Sequence, residues 1–333
     1  MTTAQAAKPL VLDEAAVASL LRIPELIDLM ERTLADFSSG RAVQPVRSVI
    51  RATPHPTLMA VMPGYLPDGG ALAVKVVTVA PQNPARGLPS HLATVLLLDP
   101  DSGTLLAILD GRLITEMRTA AVSAAAARAL ARPGAGTLAL LGSGVQARSH
   151  LEAFIEVRPI ARVRVWSPTL GHREAFARRE SERLGVAVES AANPEAAVRG
   201  ADLVVAATAS HAPVLEGRWL SPGAHVTGVG ACRPDQRELD ADTVRRASVW
   251  VDSLAAARVE AGDLLLAERD GVPWDDRVRG EIGAVFAGTL AGRGSDDEVT
   301  LFKSLGLAVE DAACARLAYR LAVGGGAGGS APA

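Results

Sequence analysis

Residues 137–147 read Thr137-Leu138-Ala139-Leu140-Leu141-Gly142-Ser143-Gly144-Val145-Gln146-Ala147, an apolar run that breaks into a G-x-G-x-x-A pattern. The run predicts a buried strand, and the residues after Gly144 predict the opening of a helix. At such a turn the first glycine allows the tight reversal and the second lets a pyrophosphate approach the backbone. Small Ala147 permits close packing of helix on strand, and the free N–H groups of the helix N-terminus suit anionic oxygens. A bare G-x-G is shared by ordinary tight turns, so the context decides. Short apolar runs at 137–141, 163–166, 203–207, 225–229 and 249–251 alternate with helical segments, the rhythm of a parallel sheet with helices on its faces. The expectation is α/β: a Rossmann-type doubly wound parallel sheet that binds a dinucleotide.

The second strand of such a sheet ends in an acid when it holds an adenosine ribose 2′-hydroxyl. Here 163–166 ends in Ser167-Pro168-Thr169, with His172 and Arg173 close behind. Hydroxyls and cations suit a 2′-phosphate better, so NADPH is the preferred cofactor and NADH the other possibility. Arg173 is equally readable as a solvated helix residue.

Upstream the texture differs. Two short helices are expected over 10–38, broken at Pro24, then strands over 46–50, 58–62, 71–79, 93–98 and 104–109. Asp99-Pro100-Asp101-Ser102-Gly103 reads as the hairpin turn between the last two strands. An alanine-rich helix over 112–131 stops at Arg132-Pro133-Gly134, and a final helix is expected over 304–323. The tail 324–333 is expected to be disordered.

A chain of 333 residues with 49% apolar side chains exceeds a single core of usual size, which implies two domains. The net charge of −3 removes the electrostatic reason to expect a nucleic-acid or anionic-membrane partner, leaving small neutral or anionic metabolites. No uncharged apolar run of about 18 residues appears, and the start lacks the order of a secretory signal, so the expected location is the cytoplasm. Cys232 and Cys314 are expected as reduced thiols.

Only Lys8, Lys75 and Lys303 of the 34 basic residues are lysine. A chain that uses arginine wherever a cation suffices gives its few lysines interest, because an ammonium has a tunable pKa and freely rotating donors. Lys75 interrupts Ala71-Leu72-Ala73-Val74-Lys75-Val76-Val77-Thr78-Val79, so its ammonium is either buried and paired or reaching out from a sheet edge. Burial would lower its pKa and fit it for proton transfer or carboxylate binding. Arg47 offers a bidentate clamp for a carboxylate, though alone it reads as a surface residue. Arg118, early in the long helix, faces either an interdomain crevice or its neighbour Glu116. The six histidines show no metal-ligand spacing, and no G-x-S-x-G elbow or P-loop occurs, so no metal is expected and hydride chemistry remains.

With these residues assembled, the chain resembles the ornithine cyclodeaminase/mu-crystallin family from about residue 10 to 322. The resemblance rests on Gln44-Pro45-Val46-Arg47, Val61-Met62-Pro63, Lys75-Val76-Val77-Thr78, Pro89-Ser90-His91, Leu105 to Gly111, Arg118-Thr119-Ala120-Ala121-Val122-Ser123-Ala124, Gly144-Val145-Gln146-Ala147, Arg233-Pro234-Asp235, Arg237-Glu238-Leu239-Asp240 and Phe302-Lys303-Ser304-Leu305-Gly306. Several of these strings look closest to its ketimine-reductase branch.

The resemblance implies an α+β substrate-binding and dimerisation domain of residues 1–118 plus 300–333, with the dinucleotide domain, 119–299, inserted into it, and an active site in the cleft of a homodimer subunit. Arg47, Lys75 and Arg118 would hold a substrate carboxylate, with Lys75 near the reacting nitrogen, and Cys232 and Leu305 would also line the substrate. Cofactor contacts would fall on Ser90, Arg118, Thr119, Gly142, Gly144, Val145, Gln146, Ser167, Thr169, Thr208, Val229 and Ser304, with the Lys303-Ser304-Leu305 turn near the nicotinamide. The implied reaction is reduction of a cyclic α-imino acid, 1-pyrroline-2-carboxylate or 1-piperideine-2-carboxylate, to proline or pipecolate. Cyclodeaminases carry an acid/base aspartate where this chain has Cys232, and a thiol is a poor base at neutral pH; Asp235, three residues on, would compensate only if its loop folds inward. Ornithine or lysine cyclodeamination with recycled NAD, alanine dehydrogenation, and non-catalytic binding of NADPH or a small ligand are the competing readings.

Overall fold

The computed structural model describes residues 8–324, so the tail expected to be disordered lies, but for Gly324, outside the described residues. The chain divides into two units, one holding residues up to Arg118 and those from Leu307 on, the other Thr119–Gly306. In chain order the elements are β1 (Leu10–Leu12), α1 (Glu14–Leu20), α2 (Ile23–Ser38), β2 (Ser48–Arg51), β3 (Leu58–Leu66), β4 (Ala71–Val79), β5 (His91–Leu98), β6 (Leu105–Asp110) and α3 (Gly111–Leu130). Then come β7 (Thr137–Leu141), α4 (Val145–Val157), β8 (Arg162–Trp166), α5 (Leu170–Leu184), β9 (Ala187–Ser190), α6 (Pro194–Val198), β10 (Leu203–Ala206) and β11 (His225–Gly228). The chain ends through α7 (Ala241–Arg246), β12 (Ala247–Val251), α8 (Leu254–Glu260), α9 (Gly262–Arg269), β13 (Val278–Glu281), α10 (Ile282–Phe286), β14 (Val299–Lys303) and α11 (Ala308–Gly324).

In the first unit, Leu10–Leu12 is a strand and not the start of a helix, because it finds a parallel partner in β6. Pro24 does not break a helix either. It occupies the first turn of α2, where a missing N–H costs nothing. The expected hairpin turn is present, with the Asp99 carboxylate accepting from the Ser102 N–H at 2.8 Å. The sheet runs β1-β6-β5-β4-β3-β2, antiparallel apart from the β1–β6 pair.

Alternation along β4 buries Ala71, Ala73 and Lys75 on one face. Across the sheet Lys75 stands in register with Met62 and Val95, and Val95 with Leu109, all buried. Helix α11 packs on the β3–β5 part of the sheet, and it begins at Ala308, since 304–307 form a loop where helix was expected. It can come close because Gly64 carries no side chain: a Cβ there would stand 3.0 Å from the Val309 nitrogen and 3.1 Å from the Ala308 carbonyl carbon.

The second unit is a fully parallel sheet in the order β13-β12-β14-β11-β10-β7-β8-β9. Chain direction across the sheet reverses between β7 and β10, the switch point at which doubly wound sheets bind ligands beyond the carboxyl ends of their strands. The α/β, Rossmann-type expectation is therefore the observed class. Residues 300–306, expected with the substrate-binding domain, belong here. β14 inserts between β11 and β12, and its Thr300–Lys303 side chains are all buried. Among the described residues no helix is long and apolar enough to cross a membrane, and both cysteines are free.

The seating of α11 generates the first prediction. Gly64→Val should lower stability by about 1–3 kcal/mol through overpacking against helix backbone that cannot swing aside. Thermal unfolding of the variant checks this, and an unchanged midpoint would contradict the close approach.

Candidate functional site

Three elements of the first unit bring charge to one place. Lys75 comes from β4 with its side chain 2% exposed; Thr115 and Arg118 lie three residues apart on α3, hence on one helix face; Glu310 and Asp311 stand in the first turn of α11. One Asp311 oxygen meets the Lys75 Nζ at 2.5 Å, and the other accepts from the Arg118 Nε at 3.2 Å. Glu310 accepts from the Arg118 guanidinium at 2.7 Å, and Lys75 also donates to the Thr115 hydroxyl at 3.3 Å. Half-buried Arg47 is near enough to act on the Lys75 charge, and three residues before it the Gln44 side-chain oxygen accepts from the Val309 N–H at 3.0 Å.

These surroundings act on the two cations in opposite directions. Burial pulls the Lys75 pKa down and Asp311 pulls it up, while Arg118 and Arg47 repel its charge, leaving it lowered to about 8. Burial also opposes the charge on Arg118, but Asp311 and Glu310 outweigh that, so its pKa is raised and it stays a fixed cation. Of the alternatives the sequence left open for Lys75, the buried and paired one holds. Arg118 is paired with Glu310 and Asp311, whereas Glu116 pairs with Arg112.

In the second unit the G-x-G turn follows β7 as expected. Gly142 has φ +115°, and a Cβ there would stand 2.5 Å from the Ala207 carbonyl oxygen just beyond β10, so only glycine fits. Gly144 is the N-cap of α4 and no side chain caps it; a Cβ there would meet nothing within 4 Å. The first N–H groups of α4 thus have no side-chain cap and the turn before them is open, as approach of an anionic pyrophosphate requires. Ser143 donates to the Ser167 hydroxyl at 2.9 Å beyond β8, and Arg173 donates to the Ser167 carbonyl at 2.8 Å. Thr169 occupies the N-cap position of α5 in the same loop, with no side-chain capping bond. The cradle fits a dinucleotide, and no carboxylate side chain stands in the 167–169 segment after β8.

Thr208 and Val229 follow β10 and β11, and a single buried carboxylate ties their loops together. Glu238 accepts from the Thr208 N–H at 2.5 Å, the Gly230 N–H at 2.6 Å and the Ala231 N–H at 3.2 Å. Asp263 in turn accepts from the Glu238 and Leu239 N–H groups at 2.7 and 2.9 Å and pairs with the Lys303 ammonium at 3.0 Å. Burial and the neighbouring Asp263 push the Glu238 pKa up to about 7, against Lys303 and the Thr208 N–H. Burial opposes the charge on Lys303, but Asp263 and Glu238 raise its pKa overall. Lys303 therefore serves the interior of its unit. Ser304 and Leu305 continue the turn: the Ser304 N–H reaches the Gly228 carbonyl at 3.0 Å, and the Leu305 N–H the Asp252 carboxylate at 2.5 Å.

Cys232 is half-buried in the loop after β11. Asp235 is exposed and pairs with Arg233 at 3.3 Å, so its side chain does not turn inward. Ser90 belongs to the first unit, in the segment before β5, where its hydroxyl meets the His91 ring at 3.0 Å. Two buried histidines are excluded as proton donors at neutral pH, because burial holds His150 down to about 4 and His225 to about 3. Among the described residues no group of three or more His, Cys, Asp or Glu could hold a metal. Sequence reading missed Glu310 and Asp311: acids in a helix first turn are ordinary complements to the helix dipole, and nothing local marks them as partners of β4.

A doubly wound parallel sheet with a dinucleotide cradle makes up one unit of this α/β protein, and the other holds a buried lysine–aspartate–arginine cluster. The chain belongs to the ornithine cyclodeaminase/mu-crystallin family, whose model matches residues 7–326. Among its relatives, the ketimine reductase mu-crystallin of Mus musculus is 42% identical over 88% of this chain and 91% of its own length. The Δ1-pyrroline-2-carboxylate reductase of Thermococcus litoralis, solved with NADH and L-proline, superposes with a TM-score of 0.93 at 38% identity, over 97% of this chain and all of that one. An archaeal alanine dehydrogenase dimer with bound NAD superposes with a TM-score of 0.90 at 30% identity, covering 97% of this chain and 99% of its own.

Lys303→Met should leave two buried carboxylates without their cation and cost about 3–5 kcal/mol of stability. Denaturant unfolding tests this; a variant as stable as the wild type would show that the carboxylates are not charged together.

Proposed function

We propose that this chain is an NADPH-dependent reductase of a cyclic α-imino acid, 1-pyrroline-2-carboxylate or 1-piperideine-2-carboxylate, forming proline or pipecolate, with NADH as the lesser cofactor. The observation that carries the reading is Lys75: a buried ammonium beside two arginines, with a pKa lowered to about 8, able to give up a proton near neutral pH. The reaction of the mouse relative and the ligands of the Thermococcus protein fit the same chemistry.

The first unit, in this reading, binds substrate and the second binds the dinucleotide. Arg47 and Arg118 clamp the substrate carboxylate, and Lys75 gives a proton to the ring nitrogen. A reduced nicotinamide, when bound, would supply the hydride for the C=N carbon. Holding the acid rigidly contributes most of the rate, because orientation alone is worth several powers of ten. Gly142, Gly144, Val145 and Gln146 would hold the pyrophosphate, with Ser167 and Thr169 at the adenosine end. Thr208, Val229, Ser304, Thr119, Ser90 and Arg118 would serve the remainder of the cofactor, and Cys232 and Leu305 the substrate ring. The hydroxyls after β8 and the absence of a carboxylate among residues 167–169 support NADPH over NADH.

A homodimer belongs to the proposal. β2 is the edge of its sheet, and Val49 and Ile50 on it are 54% and 56% exposed, an apolar edge that a second copy would cover. The archaeal alanine dehydrogenase dimer supports that assembly. Cyclodeamination lacks its base, since Cys232 stands at the aspartate position and Asp235 is exposed.

Purified protein should oxidise NADPH in equal amount to the cyclic imine consumed, and Lys75→Met should lower kcat by about 10²–10⁴ while the NADPH Kd stays within a few-fold. Ammonia release from ornithine with no net cofactor change would instead support the cyclodeaminase reading. Loss of turnover and cofactor affinity together in Lys75→Met would assign Lys75 to folding.

A further inference from the structure

We propose that Asp311 is the positioning residue of the first unit's site: it ties the Lys75 ammonium to the Arg118 guanidinium, and its charge keeps on Lys75 the proton that the substrate nitrogen will receive. The inference rests on the reductase reading and adds a residue to it.

From α3 come Thr115, which accepts from the ammonium, and Arg118, which repels it; from α11 come Asp311, Glu310 and the Cys314 thiol; from the segment before β2 comes Arg47, which repels it as well. Glu310 is spent on Arg118, with 2.7 Å between them, so it does not stand in for Asp311. The Cys314 thiol carries no charge at neutral pH, since burial, Asp311 and Glu310 raise its pKa. Burial and two arginines would by themselves favour a neutral amine. Asp311 is the group that opposes them.

The two-handed geometry answers a difficulty of imine reduction. A lysine cation beside an iminium would be repulsive, whereas a lysine neutralised by Asp311 adds little net field. When an N–H bond of Lys75 breaks, its electron pair stays on Nζ and the proton bonds to the imine nitrogen. The hydride of the reduced nicotinamide adds with its pair to the carbon, the nicotinamide is oxidised, and solvent reprotonates Lys75. Asp311 is not stranded by the loss, because its other oxygen keeps Arg118 as counter-ion throughout. A carboxylate bonded to Lys75 alone would be left buried and uncompensated.

The three-lysine composition makes the test direct, since protein labelled with ¹³Cε-lysine gives three side-chain signals, and Lys75→Met identifies the one from Lys75. Titration of that signal in wild type, Asp311→Asn and Glu310→Gln reads proton affinity without needing any substrate. Asp311→Asn should weaken the proton affinity of Lys75 by about tenfold or more, and Glu310→Gln should change it clearly less. With 1-pyrroline-2-carboxylate and NADPH, the alkaline limb of kcat should move to lower pH in Asp311→Asn by the same factor. A folded Asp311→Asn protein whose Lys75 titrates as in wild type overturns the proposal. Should that variant not fold, Asp311→Glu decides: it keeps the charge, so Lys75 should stay within about threefold of wild type, and a tenfold loss overturns the idea. A shifted titration without turnover of either imine would sink the reductase reading and leave the positioning role standing; turnover with an unshifted titration would do the reverse.

Discussion

An ammonium cannot occupy an apolar row of a β-sheet unless a carboxylate meets it, and the first unit is arranged around that constraint. Lys75 shares its row with Met62, Val95 and Leu109, so its side chain is almost wholly withdrawn from water. Withdrawing a single ion from water costs several kcal/mol, and only a close, well-aligned partner offsets it. The partner is on the last helix, more than two hundred residues away in sequence, and it arrives because Gly64 lets the first turn of α11 come down on β3. Well-packed apolar residues in place of both Lys75 and Asp311 would serve stability as well or better. What that substitution would lose is a titratable group beside two arginines.

The second buried lysine makes the point by contrast. Lys303 is as enclosed as Lys75, yet its pKa rises because Asp263 and Glu238 both favour its charge, while the pKa of Lys75 falls to about 8 because one carboxylate works against burial and two arginines. The same side chain becomes in one place a permanent cation that stabilises two loops, and in the other a group that can exchange a proton near neutral pH. Burial alone does not separate these roles. The ratio of acids to bases within reach does, and it is the kind of difference that sets reactive groups apart from structural ones.

Much of the second unit could be read directly. Its strands are short, apolar and separated by turn residues, and the strand–Gly142–Ser143–Gly144–helix order is a local signal complete in itself. β14 escaped because its Thr300 and Lys303 interrupt the apolar pattern: Thr300 is satisfied by His225 on β11, and Lys303 by Asp263. Leu10–Leu12 escaped for a related reason, since three residues carry no period and only pairing with β6 makes them a strand. In the site, Lys75 stood out by residue type and context, whereas Arg47 and Arg118 were set beside it only by the family resemblance. Glu310 and Asp311 were not legible, because their partners are set by a tertiary approach of helix to sheet. A local window sees only two acids at a helix start, where the macrodipole already explains them.

The depressed pKa of Lys75 also sets activity and stability against each other. In the unfolded chain the group titrates near its ordinary 10.5, and in the folded chain near 8. Between those values the unfolded state binds more protons, so this group's contribution to stability rises with pH through that window; below about 8 the folded chain carries the whole cost of the buried charge. Proton donation runs the other way, since Lys75 can give up a proton only while it holds one. A site that donates this proton, as proposed, would work on the side of the titration where the fold bears the penalty. Asp311 moderates both at once: by favouring the charged form it lessens the cost to the fold and extends the pH range over which the donor stays loaded. Removing the carboxylate would not trade one property for the other, because both depend on the same ion pair.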